Sequence, residues 1–164
     1  MKYQLPEIVG TWSLTLGKAN LNIRQEELTL PKVTFKDKPF RAGGLSGEIN
    51  LPNGEKELGD VTIPVFGKAT DLIEAKQVCN VDGAVIVAVG NNKRSGCGKT
   101  TSKTTVIIRG RLAEFDMGQY KSGEDNKTTL MFKPVSIRVK EDATEVFKID
   151  LLDGETDHIN GEPV

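Results

Sequence analysis

The stretch "VGNNKRSGCGKTTSKTTVIIRGRLAEF", Val89–Phe115, decides between two kinds of fold. Gly98-Lys99-Thr100 is the end of a phosphate-cradling loop, which reads G-x-x-x-x-G-K-[ST] between a strand and a helix. That loop works because its first glycine allows a tight turn and because the following helix aims its N-terminal amides at the phosphates. Lys93 stands where the first glycine belongs, with Gly90 too far upstream and Gly96 too near. The residues after Thr100 are rich in Thr, Val and Ile, which suit a pleated, half-buried surface. Val106, Ile108 and Leu112 alternate with Ile107, Arg109 and Arg111, a period near two. The pattern therefore predicts a basic loop, about residues 90–103, between two strands. A nucleotide- or nucleic-acid-binding module on Lys93–Lys103 is the weaker reading, because the loop also lacks an aromatic platform for bases.

Outward from this stretch the chain reads mostly as strand. "GTWSLTL" alternates Trp12, Leu14 and Leu16, and "DVTIPVF" alternates Val61, Ile63 and Val65, with Pro64 asking for an edge or a bulge. "TTLMFKPVSIRVK" is expected to place Val135, Ile137 and Val139 on one face and Ser136, Arg138 and Lys140 on the other. "TEVFKIDLLDG" follows and ends in a turn. One helix is expected where Thr70-Asp71 caps "DLIEAKQV", with Leu72, Ile73 and Ala75 as its apolar side. Many strands with one short helix make an antiparallel β-sandwich or barrel in a single domain, 1–164.

The chain has 164 residues and a formal charge of −1, which argues against a general nucleic-acid binder. No apolar run is long enough to cross a bilayer, the N-terminus has no signal-peptide core, and an intracellular, reduced protein is the default expectation. Cys79 and Cys97 make no disulfide framework, and the single histidine, His158, has no evident metal partners. We expect no catalytic residues, cofactor or metal. The charges are nonetheless segregated. Asn91–Arg111 holds six basic residues and no acid, whereas Glu141–Val164 holds eight acids and one base, Lys148. Such faces complement one another within the fold or between copies.

One segment departs from compact strand pattern, "LTLPKVTFKDKPFRAGGLSGEINLPNGEKELGDVTI". Its first half is basic (Lys32, Lys36, Lys38, Arg41) and its second acidic (Glu48, Glu55, Glu57, Asp60). Asn53-Gly54 is a strong tight-turn signal. The regular apolar residues Val33, Phe35, Phe40 and Leu45 argue against disorder, so about 30–58 reads as a protruding hairpin arm with aromatic anchors, the alternative being a flap folded over its own domain.

This segment resembles the major tail tube proteins of contractile-tailed, P2-like phages. Leu30-Pro31, Phe40-Arg41-Ala42-Gly43-Gly44 and Gly47 carry the likeness, with Ala42 where the family often has glycine. Arg111, Leu112, Glu114, Asp116, Gly118, Tyr120, Lys121, Gly123 and Glu124 extend it, and the final strand with Ile159-Asn160-Gly161 closes it. The resemblance implies a β-sandwich with one helix whose copies form hexameric rings that stack into a hollow tube. DNA passes through the tube in transit only, and no membrane is involved. The implied partners are further copies of the chain, the sheath, baseplate or initiator and terminator proteins, and a tape measure protein in the lumen. The implied location is the virion, assembled in the host bacterial cytoplasm. A bacteriocin or other DNA-free particle is the alternative.

Pro31, Phe35, Phe40, Arg41, Gly43, Gly44 and Gly47 are the expected interface residues, the phenylalanines as anchors and the glycines as the reversal. The oppositely charged halves of the arm are expected to meet those of neighbours. Glu26, Glu48, Glu57 and Asp60 are candidates to face an acidic lumen, and Arg109 and Arg111 to face the sheath or a neighbour.

Overall fold

A computed structural model describes residues 6–22, 25, 27–67, 70–94 and 98–164. Its strands are β1 (Ile8–Leu16), β2 (Ala19–Asn20), β3 (Val33–Phe40), β4 (Ile49–Leu58), β5 (Val61–Phe66), β6 (Ala84–Lys93), β7 (Ser102–Asp116), β8 (Lys127–Glu141), β9 (Thr144–Asp150), β10 (His158–Ile159) and β11 (Glu162–Pro163). Nine of them form one antiparallel sheet in the order β11-β10-β9-β8-β7-β6-β1-β2, with β5 added to β8; β3 and β4 pair only with each other. The period-two reading of β7 holds, since Val106, Ile108 and Leu112 are buried while Arg109 is exposed.

The fifteen-residue β8 organises the sheet. Its first half pairs β5 (Phe132 opposite Val61, Thr128 opposite Val65), its second half pairs β9, and β7 runs along both. The switch falls at Val135. Arg109 faces Ser136 and Gly110 faces Pro134, which leaves Val135 as an extra residue, a bulge that bends the strand. The expected phase is corrected there. Before the bulge Thr128, Leu130, Phe132 and Pro134 are buried; after it Ile137 is buried and Val139 packs on the core, so one inserted residue exchanges the faces. Val135 is not on the face with Ile137, and Ser136 is buried. Gly110 is what lets β7 approach the bulge: a Cβ there would lie 2.4 Å from the Lys133 carbonyl oxygen.

The curled sheet encloses one core, built around Leu14, Ile63, Ile86, Ile108, Phe132 and Ile149. Pro64 sits in a strand whose other side carries, among the described residues, only the isolated bridges Gln25–Val65 and Thr29–Thr62, in keeping with its missing N–H. The helix begins later than expected. Thr70–Leu72 is a single 3₁₀ turn, and α1 spans only Ala75–Cys79. Glu74 caps it, not Thr70-Asp71: the Glu74 amide donates to Gln77 Oε1 (3.1 Å) while the Glu74 side chain accepts from the Gln77 amide. Leu72 is buried and Ile73 half-buried against the core, but Ala75 is exposed. Among the described residues no helix is long and apolar enough to cross a membrane.

Candidate assembly surface

The ribbon of β3 and β4 stands outside the sheet. At its root Val33 pairs Leu58, both packed against the core, and the Gly59 amide donates to the Lys32 carbonyl (2.7 Å). Phe35 pairs Lys56, and the next pair is Asp37 with Pro52, so Asn53, Gly54 and Glu55 stand opposite Lys36 alone. Asn53-Gly54 is thus a bulge within β4 rather than the predicted turn; Asn53 Oδ1 accepts from the Glu55 amide (3.0 Å). The reversal lies at Ala42–Leu45, closed by the Leu45 amide on the Ala42 carbonyl (3.2 Å). Of the expected glycines only Gly44 takes a positive φ, 92°.

Alternation along β3 separates two faces. Phe35 lies with Val33, Leu58 and Lys56 on the face turned to the body; Phe40, paired with Ile49, shares the other with Lys36 and Leu51. Phe35 (49 %), Phe40 (41 %), Leu45, Ile49 and Leu51 are all exposed, so the ribbon does not fold over its own domain. Pro31 is buried at the root and presents nothing outward, while Arg41, Gly43, Gly44 and Gly47 are exposed at the tip. The two charge signs meet within the ribbon, because antiparallel pairing sets them side by side: Lys36 Nζ lies 4.0 Å from Glu55 and 3.8 Å from Glu57. Glu48 is exposed at the tip and Asp60 in the link to β5, whereas Glu26 falls outside the described residues.

A second surface lies beside the ribbon's root. The apolar face of β1, β6 and β7 continues past the core into a groove of about 430 Å³, lined by Val9, Trp12, Leu28, Leu30, Ala88 and Val106. β2 covers only Thr15 and Leu16 of β1, so among the described residues Ile8–Ser13 has a strand neighbour on one side alone. Ile8 and Val9 on that edge are exposed. An unpaired edge carrying apolar side chains invites a further strand.

The basic loop between β6 and β7 is tied down at its ends. Glu7 accepts from Ser102 Oγ (2.7 Å) and Thr101 Oγ1 (2.9 Å), with Arg94 Nε at 3.7 Å. The Ser102 hydroxyl, then that of Thr101, lowers the Glu7 carboxyl below its ordinary range. The Lys103 amide donates to Asp142 Oδ1 (3.1 Å), so part of the acidic segment meets the basic one within the chain. The loop leads into the fifteen-residue β7, and a strand supplies no helix dipole for a phosphate. Near the C-terminus Glu145 accepts from His158 Nε2 (2.9 Å) and lies 3.3 Å from Arg138 Nε; the His158 bond lowers its carboxyl most. Lys56 and Asp157, absent from the expected site, form a pair at 2.6 Å, with Asp157 buried and Lys56 half-buried. Among the described residues no group of three His, Cys, Asp or Glu side chains is placed to hold a metal.

Comparison with known proteins identifies the family to which this sheet and ribbon belong. The profile of the phage tail tube protein FII family matches residues 6–162. The chain belongs to that family. It is 29% identical over 132 residues to the tail tube protein of Escherichia phage P2, covering 77% of this chain and 74% of that one. It is likewise 29% identical over 149 residues to the major tail tube protein of Serratia phage KSP20, covering 90% and 85%. A chain of the sheath–tube complex of the extracellular contractile injection system PVC shares the fold at 14% identity, with a TM-score of 0.59 over 87% of this chain and 93% of its own. A chain of the anti-feeding prophage baseplate does so at 13% identity, with a TM-score of 0.54 over 85% and 97%. The protein is therefore a structural phage tail tube protein, and proteins of this family are virion components.

The motifs of this tail tube protein now have physical reasons. Gly110-Arg111-Leu112 sits where β7 crosses the β8 bulge, with Leu112 buried. Ile159-Asn160-Gly161 builds the β10–β11 hairpin, whose two turn residues both take positive φ (51° and 82°), as a two-residue turn of the primed type requires. The Lys56–Asp157 contact spans 101 residues, and no local pattern in the sequence announces it.

Proposed function

We propose that this tail tube protein assembles into six-membered rings, that the rings stack, and that the stack is the conduit through which a phage genome enters its host. The observation that carries the reading is the ribbon: five exposed apolar residues, Phe35, Phe40, Leu45, Ile49 and Leu51, on an element that leaves the sheet. An apolar patch of that kind on a soluble protein is an interaction site. The ribbon reaches the adjacent ring, while the open β1 edge and the groove beside it join neighbours within a ring. Head-to-tail contacts of this type close a ring by rotation, whereas stacking is open-ended.

The tube performs no chemistry. A polyanion has to pass without being held, and a lysine-lined lumen would release counterions and trap it. More acidic than basic side chains face the lumen, with Glu48, Glu57 and Asp60 as candidates, and Arg109 and Arg111 face the sheath or a neighbour. Sheath, baseplate, terminator and tape measure proteins are the partners such a tube needs; the solved relatives come from sheath–tube, baseplate and cap assemblies. Assembly takes place in the host cytoplasm. The two phage relatives favour a genome as cargo over a DNA-free particle.

Phe40→Asp tests the ribbon. It is expected to leave the fold intact, because Phe40 is exposed, and to abolish tubes in negative-stain electron microscopy. Tubes at the wild-type yield would remove the ribbon from the account.

A further inference from the structure

Among the described residues the ribbon shares no ladder with the nine-stranded sheet, so no strand pairing seen there fixes its bearing. At 3.3 Å per residue β3 projects about 25 Å, and a swing of about 10° at the root moves the tip by about 4 Å. A tip that has to meet a neighbour needs a second point of attachment. Lys56 supplies one. It lies on the body-facing side of β4, and its Nζ donates to Asp157 Oδ2 (2.6 Å) and to the main-chain oxygen of Val164 (3.0 Å). The receiving socket is itself braced. Asp157 Oδ1 accepts from the Asp150 amide (2.8 Å), the Asp157 amide donates to the Gly154 carbonyl (3.3 Å), and the Val164 amide donates to the Asp157 carbonyl (3.3 Å). The Lys56 side chain is 11 % exposed and that of Asp157 1 %.

We infer that the Lys56–Asp157 ion pair is an alignment clamp that sets the angle of the ribbon for tube assembly. The inference rests on the reading of the ribbon as the contact between rings. A buried ion pair adds little net stability compared with an apolar pair of similar volume, so stability alone does not account for placing one here. Such a pair does supply geometry: a charged donor that is largely screened from water and a buried charged acceptor favour one short, directed arrangement. The socket is made from the turn before β10 and from the residue after β11, so the clamp couples the ribbon to the end of the sheet opposite the open β1 edge. Lys56 is a positioning residue: it holds Asp157 and Val164 of its own chain and acts through Phe40 and Ile49 towards the tip.

The test measures angle and assembly separately. Nitroxide labels at Ser46→Cys and Thr144→Cys, in a protein with Cys79→Ser and Cys97→Ser, report the distance from ribbon tip to body by pulsed electron resonance. Lys56→Ala and Asp157→Asn are each compared with the parent, and unlabelled protein is scored for tubes. The expected result is a narrow distance distribution in the parent, one at least twice as broad in both variants, and at least a tenfold loss of tubes. Asp157→Asn keeps an acceptor for the Asp150 amide, so it reads the clamp even where Lys56→Ala fails to fold. Unchanged distributions would overturn the clamp. Broadened distributions with the parent's tube yield would overturn its role in assembly. Phe40→Asp then separates the two ideas: tubes lost in that variant leave the ribbon contact standing without the clamp, and tubes retained remove the ribbon contact itself.

Discussion

Gly110→Ala places a methyl group where β7 crosses the β8 bulge. The new Cβ would lie 2.4 Å from the Lys133 oxygen, 2.7 Å from Pro134 Cα and 2.9 Å from the Lys133 carbonyl carbon. All three are backbone atoms, so no side chain can swing aside. To reach even 3.0 Å, below which real Cβ atoms essentially never approach, the two strands have to part by about 0.6 Å. The parting falls at the residue pair where β8 changes partner from β5 to β9, so it disturbs three strands together. Overpacking of this kind costs about 1–3 kcal/mol, and we expect the upper end because the site is buried and bounded by main chain. In a domain of this size about 3 kcal/mol lowers Tm by about 6–12 °C. Gly43→Ala is the internal control, since its Cβ meets nothing within 4 Å and its φ is not positive; it is expected within about 0.5 kcal/mol of wild type. Urea and thermal denaturation of both variants check the pair. A Gly110→Ala protein as stable as the Gly43→Ala control would refute the steric reasoning.

Gln77→Ala removes the side chain that accepts the Glu74 amide and leaves that donor without its cap; a loss of about 1 kcal/mol in urea denaturation is expected. The His158 and Arg138 contacts lower the Glu145 carboxyl from its ordinary value. A group depressed in the folded state contributes stability above its unfolded pKa and loses it as pH falls through the folded one. The C-terminal hairpin of β10 and β11 is therefore expected to loosen on acidification below the usual glutamate range. Glu145→Gln flattens that acid limb, as amide exchange at His158–Gly161 followed against pH can read.

How much of this was legible in the sequence depended on the range of the interaction. β7 was readable because its alternation is local and unbroken, and because a strand after Gly98-Lys99-Thr100 removes the helix a phosphate loop requires. β8 was readable as a strand but not in phase, since Val135 becomes an extra residue only through its pairing with β7. Asn53-Gly54 carries a true turn propensity, which the fold uses for a bulge; the glycines at residues 43 and 44 take the reversal instead. The helix cap was misplaced because Thr70-Asp71 offers the commoner capping residues, while Glu74 and Gln77 cap each other reciprocally. Phe35 and Phe40 are exposed, as an arm held off the body requires, but Pro31 is buried, and its place in the sequence did not say so. Lys56 and Asp157 were invisible: one lysine in an acidic half and one aspartate in an acidic segment look like surface charge until the fold brings them to 2.6 Å.

The central claim is that the ribbon joins stacked rings. The most direct measurement is electron cryo-microscopy of tubes grown from purified protein, seeded with a baseplate complex where the protein alone stays dispersed. The account predicts sixfold rings in which Phe40 and Ile49 of one ring are buried against the next. Protein that remains dispersed after seeding would contradict it, as would tubes in which the ribbon tip stays exposed to solvent.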